Sequence, residues 1–507
     1  MESMFRHELS EGQRSSDLEE ERVGSSRKWT VAVYLAGGEN VSREMIPALH
    51  DIRDAALENR HSLRLLAQFE PDSKPSRLFA FDDELPSHFT NPATKRGRAP
   101  TTYGLANYEY VIDHGGGASA SPSSSLKLLS DFVETGRSAA GDGPWMLAIS
   151  GHASGAVGEL LGHREQREPL YLHDLKNALA PRSSAKLERK MDIIGMDCCS
   201  MSMVEVAFEV APYARFLVAS EGDILNHGWP YRTILDAIVD LEPEEAGAEI
   251  VRQFVSSYSD YAILDVPSHC AVCDLERAPL LSEPMRRLSR LLTSRIHEAD
   301  VWRPAVLAHW EAQSYKDEEY VDLADFCDRL RTHIGDRDVR DACSDVIAAV
   351  GRVVGATGFS GSAFQFSTGL SIYFPWCYDA VKARRGAPGL SDLESYQKLA
   401  FSRETHWGHF LEAYLWATRR APRSELSGRQ PREATLTVQK EDRMAFERVP
   451  SQSAKGGPMR TKVKNHPGED RSGERPLPVR NSPPWYSRGT AGAPSSRLKN
   501  HPRKLED

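Results

Sequence analysis

Two short stretches of the chain carry the residue types of thiol chemistry. The run Met191-Asp192-Ile193-Ile194-Gly195-Met196 ends in Asp197-Cys198-Cys199-Ser200, and Trp145-Met146-Leu147-Ala148-Ile149-Ser150 ends in Gly151-His152-Ala153. A cysteine reacts as the thiolate, and a histidine beside it can take up or return the proton of an acyl transfer. Each apolar run has the length of a buried strand and breaks abruptly into a polar turn. After Cys199, the positions Met203, Val206, Ala207 and Val210 follow helical spacing. A strand that feeds a helix through a polar turn leaves its last residues at the carboxyl edge of a sheet, where open α/β sheets bind ligands. A helix N-terminus next to the thiol would also favour thiolate. Two neighbouring parallel strands, one ending in His152 and one in Cys199, would place base beside nucleophile. The competing reading is that two small cysteines fill space where strand meets helix.

The elements that would have to position these residues alternate along the chain. Residues 29–36 read as a strand, and 40–59 as a helix with Met45, Leu49, Ile52 and Ala56 on one stripe and Pro47 in its first turns. A second strand covers 63–69, no regular core is predicted between 71 and 120, and Ser121-Pro122 opens a helix reaching about Thr135. A helix over 172–180 separates the His strand from the Cys strand, and a further strand covers 214–220. This order predicts an α/β fold, a mostly parallel sheet with helices on both faces. It gives a catalytic domain over 29–232 and a helix-rich α+β region over 233–420, with strands near 261–274 and 362–375.

The ends have a different character. Residues 1–28 mix charges and read as a disordered arm, while 421–507 hold 11 of the 30 prolines and 18 Lys and Arg against 10 Asp and Glu. The latter reads as a disordered basic tail. Its repeat, Lys464-Asn465-His466-Pro467 and Lys499-Asn500-His501-Pro502, fits either a docking segment for a regulatory protein or plain solvated chain. A net charge of −9 over 507 residues argues against a dedicated nucleic-acid binder. Seven irregularly spaced cysteines exclude a disulfide scaffold. No apolar run reaches membrane-spanning length and the N-terminus lacks an apolar signal core, so the reading is a cytoplasmic protein that does not engage membranes. Cys270 and Cys273 have metal or redox spacing without a second pair to complete a zinc site, and read as core.

The paired motifs resemble those of the clostripain-type cysteine peptidases, relatives of caspases, gingipains and legumains, whose strands end in His-Gly and Asp-Ala-Cys. Ala219-Ser220-Glu221, Gly228-Trp229-Pro230-Tyr231, Val321-Asp322-Leu323 and Gly369-Leu370-Ser371-Ile372-Tyr373-Phe374-Pro375 extend the resemblance in order to about Trp416. The resemblance implies a caspase-like endopeptidase with Cys199 as nucleophile and His152 as its acid–base partner. It further implies an oxyanion hole from the backbone N–H groups of Ala153 and Cys199, with Asp197 and Trp229 shaping a pocket for Arg or Lys. Self-processing follows from the same resemblance, with Arg164 and Arg167 in a polar stretch as candidate cleavage points and 186–190 as a competing basic run. Here Cys198 stands where the family has Ala, and Ala153 where it has Gly; a catalytically inactive scaffold is therefore the alternative. His114, in Asp113-His114-Gly115, is a rival for the base, but chain order favours His152. Calcium serves some relatives; no loop here has EF-hand spacing, so the sequence assigns no cofactor and no metal site.

Overall fold

The computed structural model describes residues 28–37, 41–71, 76–81, 95–97, 111–113, 125–161, 170–181, 189–259, 267–315, 319–376 and 393–419. The strands, in chain order, are β1 (Trp29–Gly37), β2 (Leu63–Pro71), β3 (Arg77–Ala80), β4 (Lys95–Gly97), β5 (Val111–Asp113), β6 (Trp145–Ser150), β7 (Glu159–Leu160) and β8 (Leu170–Tyr171). They continue with β9 (Met191–Asp197), β10 (Ala214–Ala219), β11 (Ser268–Asp274), β12 (Ser314–Tyr315), β13 (Tyr320–Asp322), β14 (Val354–Ser360) and β15 (Ser371–Tyr373). The helices are α1 (Met45–Glu58), α2 (Ser125–Ala140), α3 (Leu172–Leu179), α4 (Val204–Val210), α5 (Tyr231–Ile238) and α6 (Pro243–Ser259). Beyond them come α7 (Ser282–Arg295), α8 (Ala299–Glu311), α9 (Leu323–His333), α10 (Arg337–Val353), α11 (Leu393–Gln397), α12 (Ala400–Thr405) and α13 (Trp407–Thr418).

Ten strands form one sheet in the order β14-β11-β10-β9-β6-β1-β2-β3-β5-β4. The middle five, β10 to β2, are parallel, and antiparallel strands extend both edges. Central strands are near-continuous apolar runs because both faces are covered. Along β1, Val31, Val33 and Leu35 point to a core closed by α1, α5 and α6, while Ala32, Tyr34 and Ala36 point to the other. That second core is closed by α2, α3 and α4 and continues into the helices beyond residue 280. The α1 stripe of Met45, Leu49, Ile52 and Ala56 is buried as its spacing predicts.

Two expectations need amending. The stretch after residue 71 contains β3, whose Leu78, Phe79 and Ala80 are buried. At four residues it is too short to show a period. The boundary drawn at 232 runs through a single sheet, because β11 pairs with β10 and β14 with β11. The terminal stretches 1–27 and 420–507 lie outside the described residues.

Candidate active site

The parallel register of β6 and β9 sets Ser150 opposite Asp197, and the Gly151 N–H donates to the Asp197 carbonyl at 3.3 Å. His152 and Cys199 therefore each lie two residues past a matched pair, at one level of the sheet's carboxyl edge. Both line one cleft, together with Val41, Met45, Ser150, Gly151, Asp197, Ile224, Leu225, Asn226 and Gly228. It is narrow, with about 20 Å³ of free space, room for about one water molecule.

The two adjacent thiols have opposite surroundings, as alternation at a strand end requires. Cys198 is fully buried in the core with its Sγ directed at the Ile149 carbonyl, 3.2 Å away, and burial pushes its pKa far up. That thiol stays protonated. Cys199 is half-buried and faces the cleft, where the Ile224 N–H donates to its Sγ at 3.4 Å. The helix expected to activate it begins only at Val204, five residues on, with Met203 at its N-cap position making no side-chain cap bond. Between them Ser200 takes a left-handed φ of 56°, a turn that costs of order 1 kcal/mol for a non-glycine residue.

The loop after His152 is held in several places. The Ser154 N–H donates to the Glu159 carbonyl at 3.1 Å, Ala153 bridges to Leu160, and the Tyr320 hydroxyl donates to the Ser154 carbonyl. Positive φ in this loop falls on Gly155, at 67°, and not on Ala153. A side chain at 155 would run into the Tyr320 ring, whereas Ala at 153 is accommodated without left-handed strain.

Asp197 is 2% exposed and does not cap α4. Tyr231 donates to its Oδ2 at 2.9 Å, and its Oδ1 has no hydrogen-bond partner meeting normal geometry. Burial raises its pKa to about 6, against the lowering influence of Ser150, Tyr231 and the Trp229 N–H nearby. The Trp229 ring is not a wall of the cleft. It is 3% exposed and lies over Gly195 on β9, where a Cβ would sit 2.7 Å from it. Sequence reasoning noted the Gly-Trp-Pro-Tyr stretch but gave Tyr231 no part, and neither Tyr231 nor Ile224 has a spacing signal that marks it.

Arg164, Arg167 and His114 lie outside the described residues. The strand leading to His114, β5, is separated from β6 by three others. Cys270 and Cys273 are buried thiols with strongly raised pKa values, as core residues would be. Among the described residues no group of three or more His, Cys, Asp and Glu is arranged to hold a metal ion, and no helix is long and apolar enough to cross a membrane.

A sequence model of the clostripain family matches residues 123–414. The chain belongs to the clostripain family. This clostripain-family chain also shares its fold with solved cysteine proteases. One is an inactive zymogen of a C11 protease from Parabacteroides distasonis, 18% identical, covering 75% of this chain and 98% of that one with a TM-score of 0.52. Another is a secreted C11 cysteine protease from Bacteroides thetaiotaomicron in complex with an irreversible peptide inhibitor, 15% identical, covering 75% and 99% with a TM-score of 0.52. No curated protein sequence matches this chain. The family and the fold together support a cysteine peptidase of caspase-like architecture.

Proposed function

We propose that this clostripain-family chain is an endopeptidase that cleaves polypeptides after Arg or Lys through a Cys199–His152 dyad. The reading rests chiefly on one observation, the buried Asp197 carboxyl whose Oδ1 lacks a partner at the floor of the cleft that holds both dyad residues. A guanidinium offers the fork of donors that such a carboxylate lacks. In this mechanism the Cys199 thiolate attacks the scissile carbonyl carbon, and the carbonyl oxygen takes the negative charge between the N–H groups of Ala153 and Cys199. His152 gives its proton to the leaving amine as the C–N bond breaks. Water then loses a proton to His152 and attacks the thioester, the C–S bond breaks, and the acid leaves with Cys199 again a thiolate beside protonated His152. Polypeptides are the substrates; the inhibitor-bound relative carries a peptide in the corresponding fold.

Cleavage within 162–169, at Arg164 or Arg167, would be a self-processing event of this specificity, and a role for the tail in recruiting a regulatory protein belongs to the same proposal. The deciding experiment is a fluorogenic peptide panel varied at P1, run with and without calcium on wild type, Cys199→Ala and His152→Ala. Turnover after Arg and Lys in wild type alone is expected, with both variants reduced to background because a dyad acts as one unit. Preference for Asp, Asn or apolar P1, or undiminished turnover in Cys199→Ala, would overturn the reading.

A further inference from the structure

Behind the cleft lies a buried polar cluster with no part in the reaction as written above. Glu221 directly follows Ser220 at the end of β10 and is fully buried. The segment it belongs to runs beside the nucleophile turn. The Ser200 N–H donates to the Gly222 carbonyl at 2.9 Å, the Ser202 N–H to the Ser220 carbonyl at 2.8 Å, and the Ile224 N–H to Cys199 Sγ at 3.4 Å. Residues 220–224 thus hold Cys199 from both sides of its turn.

Glu221 is what fixes that segment to the rest of the molecule. Its Oε2 accepts the Gly369 N–H at 3.0 Å, while the Gly369 carbonyl accepts the Ser202 hydroxyl at 2.7 Å, so one residue, Gly369, ties the two sides of the turn together. The Glu221 N–H donates to His269 Nδ1 at 3.1 Å. His269 therefore carries its proton on Nε2, 2.8 Å from Thr357 Oγ1 and 3.2 Å from Glu221 Oε2. Burial lowers the His269 pKa to about 3, so the ring is neutral.

Burial, with the Asp322 carboxyl nearby, pushes the Glu221 pKa well up, against the lowering influence of the Gly369 N–H and the Tyr315 hydroxyl. Asp322 accepts three donors, the N–H of Asp325, the N–H of Thr368 and the Thr368 hydroxyl, which favour its ionised form against the burial that raises its pKa to about 7. Glu221 Oε1 has no acceptor-type bond. A proton there turns an unpartnered oxygen into a donor to Asp322, whereas two ionised carboxylates in one buried site repel. Tyr315 on β12 and Cys273 on β11 are the other titratable groups facing Glu221, and neither bears a compensating positive charge.

We infer that Glu221, fully buried and accepting the Gly369 N–H, is a positioning residue that sets the Cys199 thiol for attack through residues 222–224. This inference rests on the proposed role of Cys199, and its test reads the thiol directly so that the two can fail separately. In the full chain, the rate of iodoacetamide alkylation at Cys199, followed by peptide mass spectrometry, is compared with kcat and KM for an Arg substrate. Glu221→Gln, which keeps a neutral acceptor and donor in place, should hold alkylation and kcat within about threefold of wild type. Glu221→Asp, shorter and readily ionised, should lower both at least about tenfold with KM within about threefold, in protein still folded by melting temperature. Should Glu221→Asp fail to fold, Ser202→Ala stands in, and should slow alkylation in the same sense. Equal alkylation rates in all folded variants, or a loss in Glu221→Gln as deep as in Glu221→Asp, would overturn the inference. Absence of peptide turnover in wild type, with alkylation still differing among variants, would overturn the peptidase reading alone.

Discussion

In the proposed reading, Asp197 joins specificity to pH. Burial raises its pKa to about 6, so below that the carboxyl is neutral and above it charged. A basic P1 side chain needs the charged form, and kcat/KM for an Arg substrate should fall about tenfold per unit as pH drops below about 6. Asn at 197 should erase this limb and cost about one to two decades at pH 8, the value of a charge-assisted pair of roughly 1.5–3 kcal/mol. A raised carboxyl pKa also means that stability is lost as pH rises through the range from the ordinary value to about 6. Asp197→Asn should therefore melt higher than wild type at pH 8 while cutting more slowly, which differential scanning calorimetry beside the kinetics would check. The neighbouring thiols divide in the same way. Cys199→Ala should abolish turnover, whereas Cys198→Ala should keep it and lose about 1 kcal/mol from the core. That only one of the two thiols can face the cleft was legible in the sequence, since strand alternation sends consecutive side chains to opposite faces; the choice of Cys199 came from the resemblance. The partners of Asp197 were not, because Tyr231 lies on α5, and its distance in sequence from β9 carries no period.

The segment between β10 and α5 covers the cleft, and Tyr258 on α6 holds it down. The Tyr258 hydroxyl accepts the Leu225 N–H at 3.3 Å and donates to the Gly228 carbonyl at 3.2 Å. With room for about one water in the cleft, the proposed Arg specificity requires this segment to shift. Tyr258→Phe removes bonds worth about 1 kcal/mol from the closed form and should lower KM for an Arg peptide by up to about fivefold. A rise in KM would show instead that the hydroxyl holds the substrate-binding form. Gly228 sits at φ 72° with a would-be Cβ 2.5 Å from Asp197 Oδ2. Trp229 beside it is a core residue, so Trp229→Phe should cost about 1–3 kcal/mol of stability and leave the P1 preference measured in the peptide panel unchanged. The sequence showed that such a segment existed through its Gly-Trp-Pro-Tyr motif. It did not show which way the ring pointed, for a Trp flanked by Gly and Pro carries no periodicity to set its face.

At the scale of the molecule, the alternation of strands and helices was enough to place β1, β2, β6, β9 and β10 in one parallel sheet. The antiparallel additions were only partly legible. β11 falls on the strand expected near 261–274, but β14 at Val354–Ser360 precedes the strands expected near 362–375, and the pairing of both with the main sheet is disclosed only by the tertiary structure.

The order of the sheet has a consequence for any chain nicked within 162–169. Every strand before that stretch, apart from β7, lies on one side of a single seam, and β9, β10, β11 and β14 lie on the other. The seam is the β6–β9 pairing, which also carries His152 on one piece and Cys199 on the other. Both cores draw residues from both sides, and β7 pairs with β8 across the break. A nicked chain is thus a heterodimer whose active site exists only while its halves stay associated. It should co-elute as one particle in native gel filtration and separate only in denaturant. Its melting temperature should climb with protein concentration, as that of the continuous chain does not. Two pieces that part in native buffer would contradict this, and would make nicking an irreversible off-switch.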